Sequence, residues 1–131
     1  MKRIIFIGGV YNIFFAFFHS GFWKLWKWDS ELNTLGLVNK GIMQILNIQI
    51  IYYFIFTAIL CFAFPNELRT TKLGNCFLIG TSLFWFIRTI QQFTFLKIDN
   101  VVMYVLTIIF LFGAVLFLIP IFFKKNRYRK S

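Results

Sequence analysis

The chain has 131 residues and a net charge of +10, and 60% of its residues are hydrophobic while only 14% are charged. A soluble domain averages about 45–50% apolar residues, and so short a chain lacks the polar surface to cover this excess, which excludes a soluble globular domain. The basic residues lie at the termini and between apolar segments instead of along one helix face, which argues against nucleic-acid binding.

Four apolar segments follow one another along the chain, and each is close to the roughly 20 residues needed to cross the hydrocarbon core. They cover approximately residues 4–22, 42–64, 73–96 and 101–123. In lipid an unpaired backbone is too costly, so these segments must be helical. We predict an all-α membrane protein in which residues 1–131 form one integral membrane domain, a four-helix transmembrane bundle. No resemblance to a known family is identified.

The longest connection, residues 23–41, follows the first span and contains Trp23, Trp26 and Trp28. Tryptophan is enriched at the headgroup level of membranes. The apolar residues of this connection partly follow helical spacing with lysines between them, which predicts a short amphipathic helix on the outer surface. Such a helix is either a simple aromatic anchor or a lid over a site beneath it.

The distribution of basic residues predicts the orientation, because cytoplasmic segments of membrane proteins carry an excess of lysine and arginine. Nine basic residues lie at the two termini and in the 65–72 connection, including the basic tail 124–131, which we expect to be cytoplasmic and disordered. Four lie in the other two connections, and Arg88 lies inside a span. We therefore place both termini in the cytoplasm and the protein in the plasma or inner membrane.

Strongly polar side chains within the spans concentrate in the predicted outer half of the membrane. At about 1.5 Å per residue, Arg88 lies about 12 Å from the outer end of the third span. The polar residues are Asn12 and His19 in the first span, Gln44 and Asn47 in the second, and Arg88, Gln91 and Gln92 in the third. Composition does not explain this asymmetry, so we expect the three helices to share one polar interior.

Helical phase supports the same interior, because within each span these residues are three, four or seven positions apart and so share a face. Gly8 and Gly9 continue the face of the first span and permit close approach of another helix. Trp85 lies one turn before Arg88 on the same face and could stack on a ligand or on the guanidinium. We predict a pocket open to the outside or covered by the tryptophan-rich connection.

No acidic residue lies within any span, so Arg88 has no carboxylate at its own depth. Two interpretations remain. Neutral amides could satisfy the guanidinium as interhelical contacts, each contributing about 0.6–2 kcal/mol. This is less than the roughly 2.5–3.5 kcal/mol that an arginine costs at the membrane centre. The alternative is a ligand that supplies an anionic or carbonyl group, such as a carboxylate, a lipid phosphate or a quinone-like ring.

The leading functional hypothesis is a protein that binds or carries such a ligand, with Arg88 at the centre of a pocket lined by Gln91, Gln92, Gln44, Asn47, Asn12 and Trp85. A second hypothesis is an accessory subunit of a larger membrane complex, whose partner supplies an acid, or a homo-oligomer. A third is a small membrane enzyme that uses His19 as a general base. One histidine and two cysteines offer no cluster for zinc, and no cofactor is expected.

Overall fold

The computed structural model describes residues 2–96 and 100–123, and these ranges are helical with no β-strand. The helices are α1 (Lys2–Ser20), α2 (Phe22–Leu25), α3 (Trp28–Glu31), α4 (Leu37–Ala63), α5 (Pro65–Thr70), α6 (Lys72–Phe95) and α7 (Val101–Phe122), with one 3₁₀ turn at Leu32–Thr34. The predicted basic tail 124–131 and the predicted outer residue Lys97 lie outside the described residues.

Helices α1, α4, α6 and α7 are long and apolar enough to cross a membrane, which confirms the prediction of an all-α chain with four long apolar helices. The most apolar of the four is α7. The largest difference in boundary is at α4, which begins at Leu37 although the apolar run begins at Ile42. A helix continues beyond its apolar run when the flanking residues can also form backbone hydrogen bonds in helical geometry, as residues 37–41 do here.

The connection after α1 differs from the single amphipathic helix that the sequence predicts. It contains two helices of four residues each, α2 and α3, and the chain between them passes through Lys27 at φ 48°. A non-glycine residue in this left-handed region interrupts a right-handed helix. The break allows Trp28 to be buried against Phe22 and Trp23, with ring centroids 5.6 Å and 5.2 Å away, whereas Trp26 is exposed.

The chain divides into two compact units. One, here called the terminal unit, contains Met1–Gly8 and Cys61–Ser131, and the other, here called the inserted unit, is Gly9–Leu60. Each helix of the pair α1 and α4 therefore contributes residues to both units.

Within the terminal unit, α6 and α7 pack as an antiparallel pair. The Ser82 hydroxyl donates a hydrogen bond of 2.6 Å to the backbone carbonyl of Ala114. Farther along α6, Gln92 contacts Met103, which lies earlier in α7. As the chain advances along α6, its contact partners lie at earlier positions in α7. The two helices therefore run in opposite directions. Each helix has a side-chain N-cap, Thr71 for α6 and Asn100 for α7, which satisfies a backbone N–H.

Two glycines of the terminal unit permit close packing. A Cβ on Gly8 would lie 2.9 Å from Cζ of Phe117, so α1 approaches the α7 side chain more closely than alanine would allow. A Cβ on Gly74 would collide with the backbone of Glu67 and Leu68. Because glycine has no side chain, α5 can pack against the first turn of α6. The predicted role of Gly8 in close approach is thus seen directly at Phe117.

Candidate functional site

One face of α6 carries the candidate site of the terminal unit. The buried residues of this helix recur every three or four positions and include Thr81, Ser82, Trp85, Thr89 and Gln92. The Thr81 and Thr89 hydroxyls donate to backbone carbonyls one turn earlier, at 3.0 Å each, so these two side chains are satisfied within α6. The buried face is therefore polar in composition, but much of that polarity is already internally hydrogen-bonded.

Arg88 lies beside this face, half-buried, with its guanidinium over an aromatic ring of α7. The guanidinium carbon is 4.7 Å from the centroid of the Phe110 ring. The Trp85 indole stacks on the same phenylalanine, with centroids 5.8 Å apart and an interplanar angle of 26°. A cation over an aromatic face is attracted by the negative π-cloud. The three side chains therefore form a cluster, here called the Arg88 cluster, in which both aromatic residues are buried.

The Arg88 cluster has no acidic neighbour in the described part of the terminal unit. The one carboxylate there is Glu67, which lies on α5 before the first residue of α6. From Lys72 to Arg88 the helix rises by about 24 Å at 1.5 Å per residue. At such a distance Glu67 cannot form an ion pair with the guanidinium. Among the described residues of the terminal unit, Arg88 therefore has the Phe110 ring, and no carboxylate, beside its positive charge.

Gln92 lies one helical turn beyond Arg88 and is almost wholly buried, at 2% exposure. Its Nε2 donates to the Met103 sulfur at 2.8 Å, whereas its buried Oε1 accepts no hydrogen bond from the described residues. A thioether is a weak acceptor, and a buried unsatisfied carbonyl costs about 1–3 kcal/mol. The amide of Gln92 is therefore poorly satisfied by its own unit.

The adjacent Gln91 is exposed. Arg88, Gln91 and Gln92 have the spacing that the sequence analysis used, but α7 packs only against the Gln92 side of the helix. The structure consequently brings Trp85, Arg88 and Gln92 to one region of α6 and leaves Gln91 at the edge of it.

The inserted unit holds the other predicted site residues, and two of them form a reciprocal pair. His19 Nδ1 lies 2.8 Å from Asn47 Oδ1, and Asn47 Nδ2 donates to the backbone carbonyl of His19 at 3.0 Å. An amide oxygen only accepts, so the contact assigns the proton to Nδ1 of His19. The imidazole stacks on Phe22, with centroids 4.4 Å apart, and meets the edge of Phe54. Both hydrogen-bonding groups of Asn47 are thereby engaged in joining α1 to α4.

The remaining predicted residues of the inserted unit are Asn12, which is fully buried on α1, and Gln44, which is half-buried on α4. Thr57 of α4 is also fully buried, and its hydroxyl has no hydrogen-bond partner among the described residues. Its burial depends on packing that helical spacing alone does not reveal.

Phe110 and Met103 are not among the site residues predicted from the sequence, although they are the α7 partners of Arg88 and Gln92. Phe110 is one of twenty phenylalanines, so residue type carries no signal. The position of the short connection between α6 and α7 does carry a signal for this pairing. Helices joined by a short connection pair residues at similar distances from it, and Phe110 lies 12 residues after residue 98, whereas Arg88 lies 10 before it.

In comparisons with protein-family models, with curated proteins and with solved structures, no match to this chain was found.

Proposed function

We propose that the four long helices cross the bilayer as a bundle, with both termini and the connection at residues 65–72 on the cytoplasmic side. The length and hydropathy of α1, α4, α6 and α7 support the crossings. The excess of basic residues, nine against four, supports the orientation. In this arrangement Arg88 lies in the outer half of the membrane.

The function we propose is the binding of a small or lipid-like ligand through an anionic or carbonyl group at Arg88. One observation carries this proposal: a half-buried guanidinium in an apolar helix lies over Phe110, and no carboxylate of the described terminal unit is within reach. Intramembrane charges of this kind ordinarily serve a functional site.

The magnitudes favour a ligand over a purely structural arginine. An arginine at the centre of a membrane helix costs about 2.5–3.5 kcal/mol. A desolvated cation–π contact returns about 2 kcal/mol, and it leaves the five N–H donors of the guanidinium without acceptors. A hydrogen bond to a charged group contributes about 1.5–3 kcal/mol. One bidentate anionic or carbonyl group would therefore make the site favourable overall.

Gln92 adds a constraint on the ligand. Its buried Oε1 is an acceptor without a donor in the described structure, one turn from Arg88. The ligand that satisfies both residues carries an acidic or carbonyl group next to a hydroxyl or amine donor.

The test is retention of a bound molecule during purification in mild detergent. The wild-type chain, Arg88→Gln and the control Arg69→Gln are extracted, and co-purifying molecules are measured by mass spectrometry. Arg69 lies on α5, outside the Arg88 cluster, and loses the same charge. We expect a stoichiometric molecule in the wild type and the control, and at least a tenfold loss in Arg88→Gln.

Folding is checked in every sample by helical circular dichroism and gel filtration. Equal retention by Arg88→Gln would contradict the proposal, as would a wild type that carries no molecule at all. A stoichiometric protein that is lost on Arg88→Gln would instead support the accessory-subunit hypothesis, in which a partner provides the acid. An Arg88→Gln chain that no longer folds, together with a folded Arg88→Met, would assign Arg88 to packing.

A further inference from the structure

The terminal unit contains a groove that is unrelated to the Arg88 cluster. It lies where the first two turns of α1 meet the end of α4 and the start of α5, and its volume is about 460 Å³. Its walls are formed by Phe6, Ile7, Phe62 and Pro65, with Lys2 and Arg3 at one end. The buried Cys61 side chain contributes to its floor.

The walls of the groove are apolar. The rings of Phe6 and Phe62 contact each other, with centroids 5.0 Å apart and an interplanar angle of 52°. Ile7 leaves about half of its surface exposed, at 48%. A surface of this kind is compatible with hydrocarbon, so an acyl chain can lie along it.

The end of the groove is positively charged. Lys2 and Arg3 are exposed in the first turn of α1 and line the groove beside the apolar residues. Glu67, the carboxylate of the described terminal unit, is not among the lining residues. The two cations are therefore not neutralised within the groove.

The order of these residues matches the order of groups in a phospholipid. Phe6 and Ile7 lie about 6 Å farther along the helix axis than Lys2 and Arg3, at 1.5 Å per residue. A headgroup phosphate at the cations would direct its acyl chain toward the phenylalanine rings. Clusters of basic side chains next to a membrane-spanning segment attract anionic lipid.

We propose that this groove is a binding site for an anionic phospholipid, whose headgroup phosphate contacts Lys2 and Arg3 and whose acyl chain lies against Phe6, Ile7 and Phe62. Charge complementarity selects an anionic headgroup over a zwitterionic one. The apolar walls select a lipid over a soluble phosphate, because a free phosphate ion would gain nothing from them.

The experiment is native mass spectrometry of the full chain in detergent, titrated with phosphatidylglycerol or with phosphatidylcholine of the same acyl chains. The variant Lys2→Gln/Arg3→Gln is compared with Lys24→Gln/Lys27→Gln, which has the same net charge but keeps the groove. Each basic residue near an anionic headgroup layer is worth about a fivefold change in affinity. We expect a loss of at least tenfold in phosphatidylglycerol affinity for the groove variant, with phosphatidylcholine unchanged.

A second variant tests the apolar half of the site. Ile7→Trp places a larger side chain in the groove while keeping both cations, and it should lower phosphatidylglycerol affinity severalfold. An excess of inorganic phosphate should not displace the lipid. Repeating the Lys2→Gln/Arg3→Gln comparison in the Arg88→Gln background should give the same fold-change, because sites without shared partners act additively.

Three results would overturn the proposal: equal phosphatidylglycerol affinity in the groove and control variants, no effect of Ile7→Trp, or displacement by inorganic phosphate. A failure of Arg88→Gln to lose its own ligand has no bearing on these measurements, so the two proposals can fail separately.

Discussion

The contact between Arg88 and Phe110 can be measured as a coupling energy. Arg88→Met removes the charge and keeps an unbranched apolar side chain, and Phe110→Leu removes the ring. The guanidinium carbon lies 4.7 Å from the ring centroid, which is within the roughly 6 Å range of a cation–π contact. Because Arg88 is half-buried, the expected coupling is between the exposed and desolvated limits, at about 1–2 kcal/mol.

A double-mutant cycle isolates this term, because the Trp85–Phe110 stacking and the cavity left by leucine occur in both arms and cancel. Unfolding free energies of the wild type, the two single variants and the double variant are measured in mixed micelles of mild detergent and dodecyl sulfate, followed by circular dichroism. A parallel cycle of Arg88→Met with Phe117→Leu is the control. Phe117 is equally well buried, at 1% exposure, but it packs on Gly8.

The reasoning would be refuted by a coupling energy below about 0.3 kcal/mol between Arg88 and Phe110, which is within the usual additivity of independent sites. It would also be refuted by an equal coupling with Phe117, since that result would indicate a general loss of structure. A coupling that appears only when purified ligand is present would mean that the ligand orients the guanidinium.

Three further predictions concern packing, pairing and orientation. Gly8→Ala should destabilise the protein by about 1–3 kcal/mol in the same unfolding assay, because its Cβ would lie 2.9 Å from Phe117 Cζ. Gly80→Ala, with open space around its Cβ, should be neutral or stabilising. Equal effects of the two substitutions would contradict the close approach at Gly8. Asn47→Ala should cost about 1–3 kcal/mol because it removes both hydrogen bonds to His19. The exposed Gln49→Ala should change stability by less than about 0.5 kcal/mol. A neutral Asn47→Ala would show that the pair does not join α1 to α4. A C-terminal fusion to green fluorescent protein should be fluorescent in cells and a C-terminal fusion to alkaline phosphatase inactive, and the reverse pattern would invert the proposed orientation.

The sequence located the spans well because their signal is local. Each apolar run is about as long as the membrane is thick, and a backbone in lipid has helical structure as its main option. The connection after α1 was less predictable. The residues around Lys27 have ordinary helical spacing, and nothing in that spacing indicates a left-handed backbone there. The break accompanies a tertiary contact, the burial of Trp28 against Phe22 and Trp23.

Part of the candidate site was also accessible from the sequence. That no carboxylate of the described terminal unit lies near Arg88 is a matter of composition and helix length. The similar depth of His19 and Asn47 follows from topology, since His19 lies near the end of the predicted span 4–22 and Asn47 near the start of the predicted span 42–64. Their reciprocal hydrogen bonds do not follow, because the direction of each side chain depends on how the two helices are rotated about their axes.

The adjacent residues Gln91 and Gln92 illustrate the difference between what the sequence predicts and what the tertiary structure adds. Four segments long and apolar enough to cross a membrane, and a cation within the third of them, can be read from the sequence alone. The burial of Gln92, the exposure of Gln91 and the position of Phe110 beneath Arg88 depend on tertiary packing. Between helices in lipid, no hydrophobic force distinguishes one apolar face from another, so their register depends on shape and on a few polar contacts.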